Sequence, residues 1–365
     1  MTPEDIAERP SVSVVVPTYR EVLNLPLLIG RLGAVRSSAG LDIELLVMDD
    51  DSRDGSVEAV EGSRLPWARI VVRRENRGLS PAVVDGLRLA KNDVLVVMDA
   101  DLSHPPEKLP EMIAALRAGR DFVIGSRYVP GASTDDEWGL ARWVNSRVAT
   151  LLARPLTAAK DPMSGFFAFR RADLARAREL SPVGYKIGLE LIVKCGFRDV
   201  GEVPIHFADR ELGESKLTLK EQLLYLKHLR RLYNFKFGAW SHLAQFLVVG
   251  ATGLAVNLLV LTALETLGVS VPAAVALSIV VAMLSNFALN RRFTFSDARG
   301  GSLWKQLVGF MGACSIGAAI NWAVTLWLVR QAPELPIQVA ALGGVVAGTA
   351  FNYLTSRFLV FRAGD

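Results

Sequence analysis

The distribution of charge along the chain constrains its fold more than any other feature. Four stretches, Phe237–Leu264, Thr266–Asn290, Gln306–Val329 and Leu335–Ser356, contain no Asp, Glu, Lys or Arg. Each can supply the roughly 20 apolar residues that a membrane-crossing helix needs, so four spans are predicted. The connection between the second and third carries Arg291, Arg292, Arg299 and Lys305, whereas the other two connections are short and poor in positive charge. Positive loops stay on the cytoplasmic side, which puts both termini there. Across 365 residues the chain is 51% hydrophobic and 21% charged, with a mean hydropathy of +0.29. That balance is too apolar for a purely soluble enzyme and too charged for a pure channel, so a soluble unit joined to a membrane unit is the expectation. The N-terminal residues include Glu4, Asp5, Glu8 and Arg9 and offer no apolar leader, which leaves the soluble half in the cytosol. The two cysteines, Cys195 and Cys314, are far apart and form neither a disulfide framework nor a zinc motif.

The net charge of +4 could suggest nucleic acid, but its location argues otherwise. Between 216 and 240 lie Lys216, Lys220, Lys227, Arg230, Arg231 and Lys236 against Glu221 alone. A basic segment immediately before a membrane span fits anionic headgroups, so membrane lipids and no nucleic acid are the expected partners. Within it Leu219, Leu223, Leu226 and Leu229 recur at helical spacing, the pattern of an amphipathic interfacial helix. The alternative is an ordinary surface helix packed on the soluble unit. The membrane half also repeats weakly: Gly253 and Asn257 recur as Gly317 and Asn321, and Asn286-Phe287 with Arg291 recurs as Asn352-Tyr353 with Arg357. Two similar hairpins account for this, although small residues and Asn also serve ordinary helix packing.

From about 11 to 210 the pattern is α/β. Apolar runs at Val12–Val16, Leu45–Met48, Val94–Met98 and Phe122–Ile124 alternate with helical periods at Leu79–Ala90 and Leu109–Leu116. Buried parallel strands under covering helices give this alternation. Two strands run into acidic residues, Asp49-Asp50-Asp51 and Asp99-Ala100-Asp101, at the ends where open α/β sheets bind ligands. Two carboxylates two residues apart can collect a hard divalent cation that neutralises a departing diphosphate. Such pairs also cap helices and close turns. No Gly-x-Gly-x-x-Gly or phosphate-binding Gly-x-x-x-x-Gly-Lys-Ser/Thr loop competes for the role. Tyr19 and Glu21 after the first strand offer a ring to stack on a base and a carboxylate to accept from it. Arg127, in Gly125-Ser126-Arg127-Tyr128, brings a positive charge to another strand end.

Taken together, Val16-Pro17-Thr18-Tyr19-Arg20-Glu21, Asp49 to Gly55, Asn76 to Leu79, Met98 to Glu107, Gly125 to Tyr128, Asp161 to Phe167 and Gly213 to Leu217 resemble a family 2 glycosyltransferase of the GT-A, Rossmann-like fold. The resemblance is greatest to dolichyl-phosphate mannose synthases and their polyprenyl-phosphate relatives. Residues 241–365, with Asn286-Phe287 to Phe295, resemble the GtrA-like four-helix membrane domain. The resemblance implies a GT-A unit over 1–212, an interfacial segment over 213–240 and a membrane domain over 241–365. It further implies that Pro17, Tyr19, Glu21 and Asp49 hold the nucleoside of a nucleotide-sugar donor. Asp99, Ala100, Asp101, Arg127, Lys186, Arg210 and Lys216 would surround its ribose, sugar and diphosphate. Arg142 and Ser146 would hold the phosphate of a polyprenyl or dolichyl acceptor, and Asp99, Asp101, Arg127 and Arg142 would carry the catalysis. Asp101 and Ser103 would bind Mg2+ or Mn2+. Ser103 stands where the family pattern has Gln, a shorter oxygen donor that puts metal preference in question.

The expected reaction is inverting transfer of a hexose, mannose from GDP-mannose, to the lipid phosphate. A phosphate monoester is already anionic near neutral pH, with a second pKa of about 6, and needs no general base. Uridine donors such as UDP-glucose are the alternative within this chemistry. A processive synthase is disfavoured because Gly139 replaces the Gln of a Gln-x-x-Arg-Trp motif ending at Arg142-Trp143. A flippase with a sensor domain is the alternative outside enzymology, weakened by the scarcity of intramembrane charge. His104 is expected to orient Asp101 or face solvent, His206 carries no assigned role, and Trp138 and Trp143 fall in an irregular acceptor-side stretch.

Overall fold

The computed structural model describes residues 10–134, 140–177, 180, 186–208, 219–295, 302–332, 334 and 337–360. Two compact units, Met1–Lys236 and Phe237–Asp365, divide the chain. The first contains strands β1 (Ser11–Thr18), β2 (Asp42–Asp49), β3 (Ala68–Val72), β4 (Val94–Val97), β5 (Phe122–Ser126), β6 (Ser133–Thr134), β7 (Phe167–Arg170), β8 (Val200–Pro204) and β9 (His206–Phe207). Its helices are α1 (Asn24–Ser38), α2 (Ser56–Gly62), α3 (Leu79–Leu89), α4 (Leu109–Arg117), α5 (Leu140–Ala153), α6 (Arg171–Leu174), α7 (Ile187–Lys194) and α8 (Leu219–Phe237).

Seven strands form one sheet in the order β3-β2-β1-β4-β7-β5-β8, with β6 and β9 forming a small second sheet. Every pairing in the large sheet is parallel except those of β7, which runs against both β4 and β5. The reversal has a functional consequence. Residues entering β7 reach the same edge as residues leaving β4 and β5, because Phe167 is opposite both Val97 and Ile124.

Strand side chains alternate between two apolar layers, as period-2 geometry requires. Val12, Val14, Val16, Val96 and Met98 pack under α1 and α4, whereas Val15, Leu46, Met48, Val97 and Phe167 pack under α3 and α7. Gly86 on α3 lets that helix approach closely, since a Cβ there would overlap the Val15 methyl and come within 2.9 Å of Met48 Cγ. Gly86→Ala should therefore destabilise the protein by about 1–3 kcal/mol through overpacking, despite the better helix propensity of Ala. A lowered melting temperature of the detergent-solubilised protein is the expected result; an unchanged one would show that the layer can expand.

The basic helix α8 packs on the first unit. Tyr225, His228, Leu229, Leu232, Tyr233 and Lys236 recur at helical spacing and face inward, with His228, Leu229 and Leu232 buried. The Tyr225 hydroxyl donates to the Ala149 carbonyl at 2.7 Å, Tyr233 to Leu152 at 2.6 Å, and Lys236 to Pro155 and Leu156 at 3.0 and 2.8 Å. The single apolar stripe read from the sequence is thereby divided. Leu229 is buried in the protein, whereas Leu223 and Leu226 are exposed.

In the second unit the helices α9 (Ala239–Thr266), α10 (Val271–Leu289), α11 (Leu303–Gln331) and α12 (Ile337–Thr355) occupy the four uncharged stretches. Among the described residues, one helix, Ala239–Leu264, is by itself long and apolar enough to cross a membrane. The repeat read from the sequence has a structural counterpart. The Asn286 side chain fills the space over Gly253, and Asn352 does the same over Gly317, so a Cβ at either glycine would overlap the amide. α10 ends in a π-helical turn at Asn290–Thr294 and α12 in another at Ser356–Val360.

Candidate active site

The carboxyl edge of the sheet gathers several of the candidate side chains and much of the unit's backbone strain. Arg20, Asp51, Arg53 and Leu102 have φ of 63°, 56°, 54° and 62°, all just beyond β1, β2 or β4. Non-glycine residues in this region cost roughly 1–3 kcal/mol each and persist where the surroundings enforce them. At Leu102 the turn folds the chain back so that the Ser103 backbone N–H and hydroxyl donate to Asp101 Oδ1 at 3.2 and 2.6 Å. Asp101 and Ser103 thus bring two hard oxygen donors together, a chemistry that suits Mg2+ or Mn2+. Among the described residues no three His, Cys, Asp or Glu side chains form a metal cluster.

Asp99 sits on the other side of this turn, its side chain 28% exposed. Its backbone N–H donates to His104 Nδ1 at 3.0 Å, a bond that Nδ1 accepts through its lone pair. His104 is buried, stacked on Phe166 at 5.3 Å and edge-on to Phe207 at 5.6 Å. Burial lowers its pKa, against the opposing charges of Asp99 and Asp101. It therefore braces the acidic turn from behind. Ala100 is buried between the two carboxylates in sequence.

Arg127 does not project as an isolated cation. Its Nε and Nη2 each donate to Asp161 at 2.8 Å, and its backbone N–H donates to the same carboxylate at 3.0 Å. Asp161 is fully buried; burial alone would raise its pKa, but the hydrogen bonds and charge of Arg127 hold it below the usual carboxylate range. Asp161 received no role from the sequence because only the reversal of β7 brings it to this edge. Lys186, half-buried at the start of α7, donates to the Met163 carbonyl at 3.0 Å. Burial, reinforced by the Arg127 charge and opposed by Asp161 and Asp99, lowers its pKa to about 8.

The residues expected to hold a nucleoside are more dispersed in character. Tyr19 is exposed, with the Arg20 guanidinium 5.2 Å from its ring. Glu21 accepts from Asn24 at 2.7 Å, and Pro17 is opposite Met48 in the β1–β2 register. Asp49 is buried, with both carboxylate oxygens on Ser52. Of the residues expected at the acceptor, Ser146 shares a hydrogen bond of 2.6 Å with Tyr128, whose ring also lies 5.0 Å from the Arg147 guanidinium. Arg142 falls on α5, but its side chain and that of Trp143 lie outside the described residues, as do Trp138, Arg210 and Lys216. His206 pairs with the Ser133 hydroxyl at 2.7 Å across β6 and β9.

Residues 13–177 match the Glycosyl transferase family 2 family, and residues 245–361 match the GtrA/DPMS transmembrane domain. A dolichol-phosphate mannosyltransferase of Pyrococcus furiosus is 37% identical over 356 residues, covering 96% of this chain and 99% of that protein. One from Mycosarcoma maydis is 47% identical over 238 residues, 63% of this chain and 81% of the relative. A solved structure of glucosyl-3-phosphoglycerate synthase from Mycobacterium tuberculosis, in complex with Mn2+, uridine diphosphate and glucosyl-3-phosphoglycerate, is similar at 20% identity. It covers 63% of this chain and 81% of that one, with a TM-score of 0.48.

Proposed function

Because the chain belongs to the dolichol-phosphate mannosyltransferases of glycosyltransferase family 2, we propose that it transfers mannose from GDP-mannose to a polyprenyl or dolichyl phosphate at the cytoplasmic membrane face, inverting the anomeric carbon. The observation that carries this reading is the end-to-end match with the Pyrococcus furiosus relative, which includes both the catalytic and the membrane unit.

The lipid phosphate oxygen attacks the anomeric carbon, the bond from that carbon to the diphosphate breaks, and the electron pair leaves with the nucleoside diphosphate. Lys186 neutralises the leaving diphosphate, while Arg127, held rigid by Asp161, shapes the wall beside it. Asp101 and Ser103 would hold Mg2+ or Mn2+, which when bound supplies further charge neutralisation. Tyr19, Glu21 and Asp49 receive the nucleoside, and Arg142 and Ser146 orient the acceptor, so that positioning replaces a general base.

All four helices of the second unit span the bilayer in this reading. Trp240 and Trp304, both exposed, open α9 and α11, and Arg291, Arg292 and Arg357 follow α10 and α12. Aromatic and basic residues at these ends support a common cytoplasmic side. Leu223 and Leu226, on the outward face of α8 beside Lys227, would meet lipid headgroups.

Purified enzyme incubated with polyprenyl phosphate and a panel of labelled nucleotide sugars should release GDP and form a mannosyl lipid. Transfer from UDP-glucose with none from GDP-mannose would replace the donor assignment. The Lys186 assignment also sets a pH dependence. The ammonium binds diphosphate only while protonated, so KM for the donor should rise as pH increases through about 8, and Lys186→Arg should remove that rise. A flat donor KM between pH 7 and 9 in the unsubstituted enzyme would place Lys186 away from the diphosphate.

A further inference from the structure

The docking of α8 leaves one polar cluster that neither packing nor the proposed chemistry requires. Glu190, in the first turn of α7, points into the junction with α8 with its side chain only 2% exposed. Lys194 Nζ lies 2.8 Å from its Oε1, and His228 Nδ1, from α8, lies 3.9 Å from its Oε2. The same imidazole hydrogen-bonds the backbone carbonyl of Lys186, the residue that begins α7. The Lys186 side chain does not cap that turn, and its ammonium donates to the Met163 carbonyl. A buried carboxylate and imidazole are costly compared with the apolar contacts that Leu229 and Leu232 make on the same face, so they do not explain the docking. What distinguishes them is direction: the His228 side chain of α8 bonds the carbonyl at the start of the first turn of α7 and lies beside the Glu190 carboxylate of that turn.

We propose that His228 is a positioning residue for the donor site, fixing Lys186 through the first turn of α7 so that donor binding depends on α8 being docked. This rests on the reading of Lys186 as a diphosphate ligand. Displacements near 1 Å of a positioned group cost up to about a hundredfold in rate, so an unanchored turn is enough to impair the donor step.

The test uses the full-length enzyme in detergent with GDP-mannose as probe. His228→Gln keeps polarity and volume but moves the donor N–H away from the Nδ1 position, whereas His228→Asn retains a nitrogen there. The Gln variant should raise Kd and KM for GDP-mannose about tenfold while KM for polyprenyl phosphate stays within about twofold, and the Asn variant should recover most of the loss. Amide hydrogen exchange over residues 186–194 should accelerate in the Gln variant and not in the Asn variant. Unchanged donor affinity in the Gln variant, or a defect confined to the lipid acceptor, would overturn the proposal. If Lys186→Ala leaves donor affinity intact, the diphosphate role of Lys186 itself fails, and the two failures are told apart by that control. If the Gln variant unfolds, the Asn variant decides: donor affinity within about threefold of the unsubstituted enzyme supports the proposal, and a tenfold loss overturns it.

Discussion

Asp101→Ala is expected to lower kcat/KM by at least about 100-fold, or about 2.7 kcal/mol of transition-state stabilisation. The carboxylate is buried at the end of β4, and the Leu102 turn aims it beside the Ser103 hydroxyl. Removing it takes away the one charged member of the pair and leaves the strained turn without its acceptor. Asp101→Asn separates these effects, since an amide oxygen still accepts from Ser103 while the negative charge is gone. Both variants should be nearly inactive, but only the Ala variant should also lose thermal stability. Ser103→Ala should cost far less, about 0.5–1.5 kcal/mol, the worth of an ordinary hydrogen bond. Steady-state kinetics with GDP-mannose and polyprenyl phosphate at saturating Mg2+ or Mn2+ provide the check. Full activity of Asp101→Ala in excess chelator would remove both the residue and the cation from the mechanism.

The second large effect concerns stability. Arg127→Met strands the fully buried Asp161 carboxylate, and breaking a buried pair in this way costs about 3–5 kcal/mol. For a unit of this size that is a fall in melting temperature of roughly 10 °C. The double variant Arg127→Met with Asp161→Leu removes both charges and should regain most of the loss while remaining catalytically impaired. Melting curves of the three proteins are decisive: a double variant no more stable than the single one would mean that the pair is not the source of the effect. The sign with pH follows from the depressed Asp161 pKa. Its contribution is complete above the unfolded carboxylate value of about 4 and is lost as pH falls below that. Acid should accordingly narrow the gap between the unsubstituted enzyme and the double variant.

The sequence was legible where one strand or one turn suffices. Val12–Val16 and Val94–Met98 read as buried strands because parallel strands covered on both faces are apolar throughout, and Asp99 and Asp101 followed from their place at a strand end. The Arg127–Asp161 pair was not legible. It depends on β7 running antiparallel between β4 and β5, and four residues, Phe167–Arg170, carry no mark of their direction. The brace supplied by His104 was hidden for a related reason: its partner is a backbone N–H, which every residue type except proline supplies alike. On α8 the leucine periodicity was visible, but the inward stripe consists largely of Tyr225, His228, Tyr233 and Lys236, residues that read as solvated. Their apolar stems and rings cover the protein while their polar ends reach backbone carbonyls.

The angular arrangement of α8 also bears on how this protein can change over evolutionary time. Consecutive residues of an α-helix are rotated by about 100°, so inserting or deleting one residue between Leu226 and His228 would turn everything beyond it by that angle. An insertion before Lys227 would carry Leu229, Tyr233 and Lys236 away from the catalytic unit and drive Lys227 and Arg231 inward. Point substitutions on the outward face leave this phase untouched. Lineages can therefore drift freely at Leu223 and Leu226 toward different membranes, whereas length changes inside the helix should be purged, and chimeras that exchange membrane domains should be joined at Gly238, after the last inward contact.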